Sequence, residues 1–500
     1  MAYYGDTRQP PLYPVVDEYT PLLSEPPSYD LDLEISVSQE IWVVLKTFIP
    51  VSLTYALQNS LQTACVVIVG RLGADDLAAA AFAFMFAMVT GWVVAMGGST
   101  ALDTLGSQAF TGASDKTEVG VLLQRCLLIL TVLFVPVVAL WYFAEPLFLL
   151  LGQEPQLSAR AALFLRYLLF GAPAYLYFES IKKYLQAQGI MHAGTYVMMV
   201  ASPFNIILNY LLVWHPSCAL GFIGAPIATS ITYWLMLFLL ILYVVFVDGS
   251  EAWGGFSRKA FTNWASFLAL AVPGVLMVGT EWWAFELVAM AAGLLGPEAL
   301  AAQSIIMTAD QVLNTIPFGL SVSSSNRVGN LLGSRLPRRS KLAANVSAGV
   351  ACTIGAGIMG DMLASKDVFG YLFTDDASVV ILVAKVMPWV AAFQVADGLA
   401  NSCGGSLRGM GRQHIGAIVN VSAYYLIALP CGLWLAFRAN YGLEGLWMGQ
   451  FLALSLVGLI ELWIVTGTNW AEEVENCEKR LKEEEEEATS SLFGNPSAVL

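Results

Sequence analysis

The chain repeats itself. The ten residues from Gly70 (Gly-Arg-Leu-Gly-Ala-Asp-Asp-Leu-Ala-Ala) align with the ten from Gly293 (Gly-Leu-Leu-Gly-Pro-Glu-Ala-Leu-Ala-Ala), an offset of 223. Leu185, Gly189, His192 and Gly194 fall on Leu407, Gly411, His414 and Gly416 at an offset of 222, and residues 220–224 meet 441–445 at 221. An offset held nearly constant over about 150 residues marks two copies of one structural unit, so any fold must place the same element order twice.

Each copy is apolar. The 500 residues are 57% hydrophobic and only 12% charged, where soluble domains carry about 25% charged residues. Apolar segments fall at roughly 41–69, 77–100, 120–143, 158–178, 194–214 and 221–247, then 262–295, 299–325, 341–364, 377–400, 414–437 and 443–468. Runs of this length are membrane-span candidates. Six spans per copy return the chain to its starting side, so the repeats share one orientation and are related by an axis along the membrane normal, an architecture common in secondary transporters. The expected fold is an all-α membrane protein of twelve helices in two six-helix lobes related by a pseudo-two-fold. Residues 41–247 form the N-lobe, 248–261 a linker and 262–468 the C-lobe. Residues 1–40 and 469–500 are polar tails, expected to be disordered.

The net charge of −14 sits mainly in those tails: residues 1–40 hold eight acids and one base, and 471–500 hold nine acids and three bases. The near-neutral body offers no nucleic-acid-binding surface. Lys116, Lys182, Lys183, Arg258, Lys259, Arg335, Arg338, Arg339, Lys341, Arg408 and Arg412 fall on one side of the twelve-span layout, against Arg71, Lys366 and Arg438 on the other. The positive-inside rule puts the first side and both tails in the cytoplasm. The start of the chain lacks the basic-then-apolar pattern of a signal peptide, so the first span is expected to direct insertion. Seven scattered cysteines form no metal or disulfide spacing. The three histidines form none either, and no nucleophile motif points to an enzyme; no cofactor is expected.

A carboxylate inside the bilayer is costly unless it faces a cavity or a partner. Four stand out, all in the second copy: Glu281 and Glu286 on helix seven, Asp310 on helix eight and Asp397 on helix ten. Lys385 lies twelve residues before Asp397, about 18 Å along a helix, and is a poor partner for it. Gln303, Asp310 and Asn314 share one helix face by spacing. Trp282 and Trp283 beside Glu281 can stack on a cation or serve as packing. The first copy shows uncharged stripes instead: Gln58 with Gln62, and Asn205 with Asn209, suited to lining a cavity or to inter-helix hydrogen bonds. Asp103 is placed at the cytoplasmic end of helix two, as a gate or cap. A carboxylate stripped of water is easier to protonate and can also neutralise a cation. One such group makes proton and cationic cargo compete, which is antiport in its simplest form.

At these residues the chain resembles the eukaryotic branch of the multidrug and toxic compound extrusion (MATE) family. The stretch Ala101-Leu102-Asp103-Thr104-Leu105-Gly106-Ser107-Gln108-Ala109-Phe110 is similar to the family's segment after helix two. Pro317-Phe318-Gly319-Leu320-Ser321 through Arg327-Val328-Gly329-Asn330 is similar to its end of helix eight, and Gly405-Ser406-Leu407-Arg408-Gly409 with Gly411, Gln413, Gly416 and Asn420 to its entry into helix eleven. The resemblance implies two lobes around a V-shaped cavity, alternating access, and efflux of organic, often cationic, solutes against a proton or sodium gradient. It implies that Glu281 matches the family's essential helix-seven acid, Glu286 the second acid of some members, and Asp397 the helix-ten acid, while Asp310 has no clear counterpart. Arg327 and Arg408 fall within the gate motifs. Gln58 and Asn209 stand where many bacterial members carry aspartate, which places coupling in the C-lobe. A sodium-coupled exporter, a lipid-linked flippase of the same broad fold and a non-transporting receptor are the alternatives.

In the N-terminal tail, Glu18 with Leu22 and Leu23 fits the acidic dileucine signal read by coat adaptors. Pro10, Pro11 and Tyr13, and again Pro26, Pro27 and Tyr29, fit the Pro-Pro-x-Tyr pattern that docks on WW domains of ubiquitin ligases in an extended polyproline form. These imply sorting to a vacuole or lysosome-like membrane, with the plasma membrane as alternative. The expected partners are otherwise a small organic solute and the bilayer, and the expected state is a monomer.

Overall fold

A computed structural model describes residues 36–493. The dileucine and Pro-Pro-x-Tyr motifs lie outside the described residues. Among these residues every regular element is helical. We number the spans α1 (Val37–Gly70), α2 (Ala74–Gly112), α3 (Glu118–Tyr142), α4 (Pro155–Leu168 with Ala172–Ala187), α5 (Ala193–Trp214), α6 (Gly221–Phe246), α7 (Trp264–Leu294), α8 (Pro297–Leu313 with Thr315–Gly333), α9 (Pro337–Leu372), α10 (Ala377–Met410), α11 (Gln413–Phe437) and α12 (Leu443–Gly467). Ten of these are long and apolar enough to cross a membrane, and α4 is an eleventh, bent by 55°. The twelfth, α8, is the polar one and breaks at Asn314.

The repeat is visible in the backbone. Gly189 and Gly411, both at left-handed φ (81° and 80°), end α4 and α10. Gly221 and Gly442 (φ 62° and 58°) open α6 and α12. Such φ values favour glycine, which is why these positions recur in the sequence at offsets of 222 and 221. Pro50 and Pro273 sit inside α1 and α7 at the offset of 223. Each copy packs its own apolar core, one drawn from α1–α6 with the start of α7, the other from α7–α12.

The lobes meet where α1 packs on α8 and α2 on α7. Trp283 Nε1 donates to Val89 O (2.9 Å) and Asn59 Nδ2 to Gln311 O (3.1 Å) near the middle of the bundle. From there to the end bearing the basic loops the seam is closed. Thr104 Oγ1 donates to Arg408 O, Gln108 Nε2 to Gly409 O and Thr111 Oγ1 to Asn330 O. Glycines let the helices touch: a Cβ on Gly333 would stand 2.5 Å from Gln108 O, and one on Gly319 would stand 2.7 Å from Ser52 N. In the other half of the bundle no hydrogen bond joins the lobes among the described residues.

Three expectations change. The acidic tail after 469 is an ordered helix, α13 (Trp470–Phe493), because it is amphipathic: Trp470 and Cys477 bury among Leu332, Leu407 and Met410. Its acids meet bases of both lobes, Glu484 on Arg125 at 2.9 Å, Glu478 on Arg335 at 2.9 Å and Glu473 on Arg412. At the other tail, α1 already starts at Val37, and Glu40 is buried against Arg327, with Nε to Oε1 and Nη2 to Oε2 both at 2.8 Å. Lys182, Lys183 and Arg408 are not loop residues but buried side chains within α4 and α10.

Candidate functional site

The C-lobe gathers carboxyl groups from three helices at mid-depth. Asp397, fully buried on α10, accepts from Asn401 Nδ2 (2.7 Å) and Asn314 Nδ2 (3.4 Å). Asp310 on α8 accepts from Gln394 Nε2 at 2.8 Å. Glu281 on α7 lies within the electrostatic reach of both and has no hydrogen-bond or ion-pair partner among the described residues. Every donor to these carboxylates is a neutral amide. Tyr424, in a π-helical turn of α11 (Ser422–Ala428), faces the same three acids with its hydroxyl unpartnered; π turns are frequent at functional sites. The break of α8 at Asn314 supplies one of the donors.

Other expected residues stand apart from this cluster. Glu286 is half-buried on α7, five residues beyond Glu281 and so on a different face. Gln303 is buried and accepts from Trp447 Nε1 at 2.8 Å. Trp283 is spent on the α2–α7 seam, and Trp282 is half-buried beside Glu281. Lys385 pairs with Glu444 at 3.1 Å.

In the N-lobe, Asn205 Nδ2 donates to Thr232 Oγ1 (3.0 Å) and Asn209 Nδ2 to Asn205 Oδ1 (3.1 Å), both side chains fully buried. This is inter-helix bonding between α5 and α6, and Gln62 takes no part in it. The N-lobe is also not uncharged. Gln58 Nε2 donates to Tyr175 OH (2.9 Å) and to Glu179 Oε1 (2.8 Å), and Lys182 Nζ donates to the same Glu179 oxygen (2.8 Å) while lying 4.0 Å over the Tyr55 ring. Asp103 is nine residues short of the end of α2, not a cap. It pairs with Lys183 Nζ at 2.8 Å and accepts from Asn326 Nδ2 of the other lobe at 3.3 Å. Asp103 and Asn326 are 223 apart, so this contact marks the pseudo-two-fold axis.

The two polar centres are copies of each other. At the offset of 223, Gln58 of α1 corresponds to Glu281 of α7. At 222, Tyr175, Glu179 and Lys182 of α4 correspond to Asp397, Asn401 and Gly404 of α10. Where the N-lobe holds a resident ammonium, the C-lobe has a glycine. This offset arithmetic is the signal by which the Glu179–Lys182 pair, missed in the sequence, could have been found.

One family model, MatE, matches residues 50–211 and again residues 273–434. The chain belongs to the MatE family. A Schizosaccharomyces pombe transporter is 40% identical to it over 445 residues, 89% of this chain and 82% of that protein. Multidrug and toxin extrusion protein 2 of Mus musculus is 37% identical over 415 residues, covering 82% and 71%. The fold matches the eukaryotic MATE transporter AtDTX14 with a TM-score of 0.82 at 28% identity, over 89% of this chain and 99% of that one. MatE proteins are membrane transporters, not enzymes, and their twelve helices in two lobes are those described above.

Proposed function

We propose that this MatE transporter is an antiporter that moves organic, cationic or amphipathic solutes out of the cytoplasm in exchange for protons, with coupling in the C-lobe. The observation that carries this is the set Glu281, Asp310 and Asp397, at the place where the N-lobe copy keeps Lys182: two buried carboxyl groups bonded only by neutral amides, and a half-buried third with no hydrogen-bond partner among the described residues. Buried carboxylates without a cation are costly, so the set calls for protons or an exchangeable cation, one displacing the other. Multidrug and toxin extrusion relatives support a solute of that class. In this reading the basic end faces the cytoplasm and is the closed side, and Glu18, Leu22 and Leu23 direct the protein to a vacuole-like membrane.

The test is reconstitution into liposomes with an imposed proton gradient. Tetraethylammonium and larger organic cations are expected to dissipate the gradient in wild type and not in Glu281→Gln, whose folded yield stays normal. Dissipation in both would remove Glu281 from the mechanism. Dissipation in neither, with sodium flux in its place, would refute proton coupling.

A further inference from the structure

Below the acid cluster, toward the basic end, lies a carboxyl group that the site does not use. Glu461 on α12 is 1% exposed, and neither of its oxygens has a hydrogen-bond partner. It sits in a notch kept open by glycine. A Cβ on Gly404 of α10 or on Gly416 of α11 would stand 3.3 Å from one of its oxygens, with Met277 of α7 closing the side. Gly404 is seven residues beyond Asp397 on the same helix, about 10 Å along the axis. The charged and titratable groups facing Glu461 are Arg408 and Cys403 of α10, with Cys352 of α9 behind Cys403.

Arg408 is the complementary half. It lies one turn beyond Gly404, and its Nε is buried with no partner. Its Nη2 donates instead to Ser321 Oγ of α8 at 2.5 Å. Ser321 Oγ in turn donates to Asn401 O, and Asn401 holds Asp397. A polar line thus runs down α10 from Asp397 through Asn401 and Ser321 to Arg408, with Glu461 beside its lower end.

We propose that Glu461 is a second proton-binding site of the C-lobe, apart from the Glu281, Asp310 and Asp397 set, and that its charge decides whether Arg408 holds Ser321 of α8 or turns to α12. With no donor on either oxygen, the arrangement seen here is that of the neutral acid. Arg408 already lies in the field of Asp103 of α2, of Glu461 and of Tyr55 of α1; when the Glu461 proton leaves, its carboxylate competes for the unused Arg408 Nε, and pairing them frees Ser321 on the helix that forms the seam. The offset of 221 places Leu240 at the equivalent N-lobe position, fully buried in apolar surroundings, so this device belongs to one lobe only. The inference rests on the proton-coupled reading above and extends it from where protons bind to how they reach the seam.

The experiment is pH-difference infrared spectroscopy of the full chain in liposomes, read at the carbonyl stretch of protonated carboxylic acids between about pH 5 and 9, alongside the tetraethylammonium-driven proton flux. A band that titrates in wild type and in Glu281→Gln, is missing in Glu461→Gln and titrates at a higher pH in Arg408→Met is the expected result. At least a tenfold lower flux in Glu461→Gln, with Glu461→Asp retaining most of it, is expected beside it. Glu461→Leu, matching Leu240, guards against misfolding. Spectra of Glu461→Gln identical to wild type would overturn the assignment. A titrating Glu461 band in a protein with no cation-driven flux would sink the coupling reading and leave the proton site standing.

Discussion

Gly333→Ala tests whether the seam at the basic end opens and closes. The added methyl would stand 2.5 Å from Gln108 O, a backbone atom that cannot rotate aside, and 2.3 Å from Thr111 Oγ1. Ordinary contact begins at 3.4 Å, so α2 and α8 must part by about 1 Å at this point. Overpacking of this kind costs about 1–3 kcal/mol. Gly333 is the last residue of α8 and Gln108 belongs to the other lobe, so the cost falls on the joined arrangement of the lobes and not on the fold of either. Any gain in helix propensity from alanine is present in both arrangements and cancels. The closed seam should therefore open about 5- to 150-fold more often. The reporter is Ser107→Cys, which faces Gly329 in the seam, in a background where the exposed Cys218 is serine. Its labelling by a membrane-impermeant maleimide from the basic side should accelerate by that factor, with the melting temperature unchanged. Equal labelling rates, or a faster rate matched by a large loss of thermal stability, would show that this contact is part of a static core.

Lys182→Met leaves Glu179 buried without its cation and should cost about 3–5 kcal/mol, read as a lower melting temperature in detergent; adding Glu179→Gln should recover most of it. Arg125→Ala removes one N-lobe anchor of α13, whose Glu484 it holds at 2.9 Å beside the Ser114–Glu485 contact, and limited proteolysis should then cleave α13 faster while the twelve spans stay intact. An unchanged cleavage rate would mean that the apolar contacts of Trp470 and Cys477 suffice to dock it.

The architecture was legible in the sequence because its causes are local. Apolar runs gave the spans, and glycines at left-handed φ recur wherever both copies turn, as at Gly189 and Gly411. The polar halves of the helices were less legible. Hydropathy falls where lobe packs on lobe, so α4 near Lys182 and Lys183 looked like a basic loop, and α2 was taken to end near Asp103 when it runs on to Gly112. The Trp470–Phe493 helix was hidden by its acids, since only two of its buried side chains, Trp470 and Cys477, are apolar, which makes a weak stripe. Glu461 stood as a lone acid in an apolar run of α12, the same signal that drew attention to Asp397, but it lies close to a helix end, where acids are usually solvated.

The duplicated halves explain why one lobe is the better place for exchange. Both began from the same positions on their first and fourth helices. In the N-lobe those positions became Gln58, Tyr175, Glu179 and Lys182, and the ammonium, the carboxylate and the amide satisfy one another within 2.8–3.3 Å. Such a closed ionic set is expensive to break, which suits a rigid wall. In the C-lobe the same positions are Glu281, Asp397, Asn401 and Gly404: carboxyl groups stand where the N-lobe has Gln58 and Tyr175, and the built-in cation is gone. A cation must then come from outside the protein, as a proton or as cargo, and it can leave again because no side chain is designed to replace it. The glycine that removed the ammonium also opened the notch over Glu461. Glycine at the Lys182 position thus serves both features: it leaves the acids Glu281 and Asp397 without a resident ammonium, and it leaves room for Glu461, which stands where the N-lobe has Leu240.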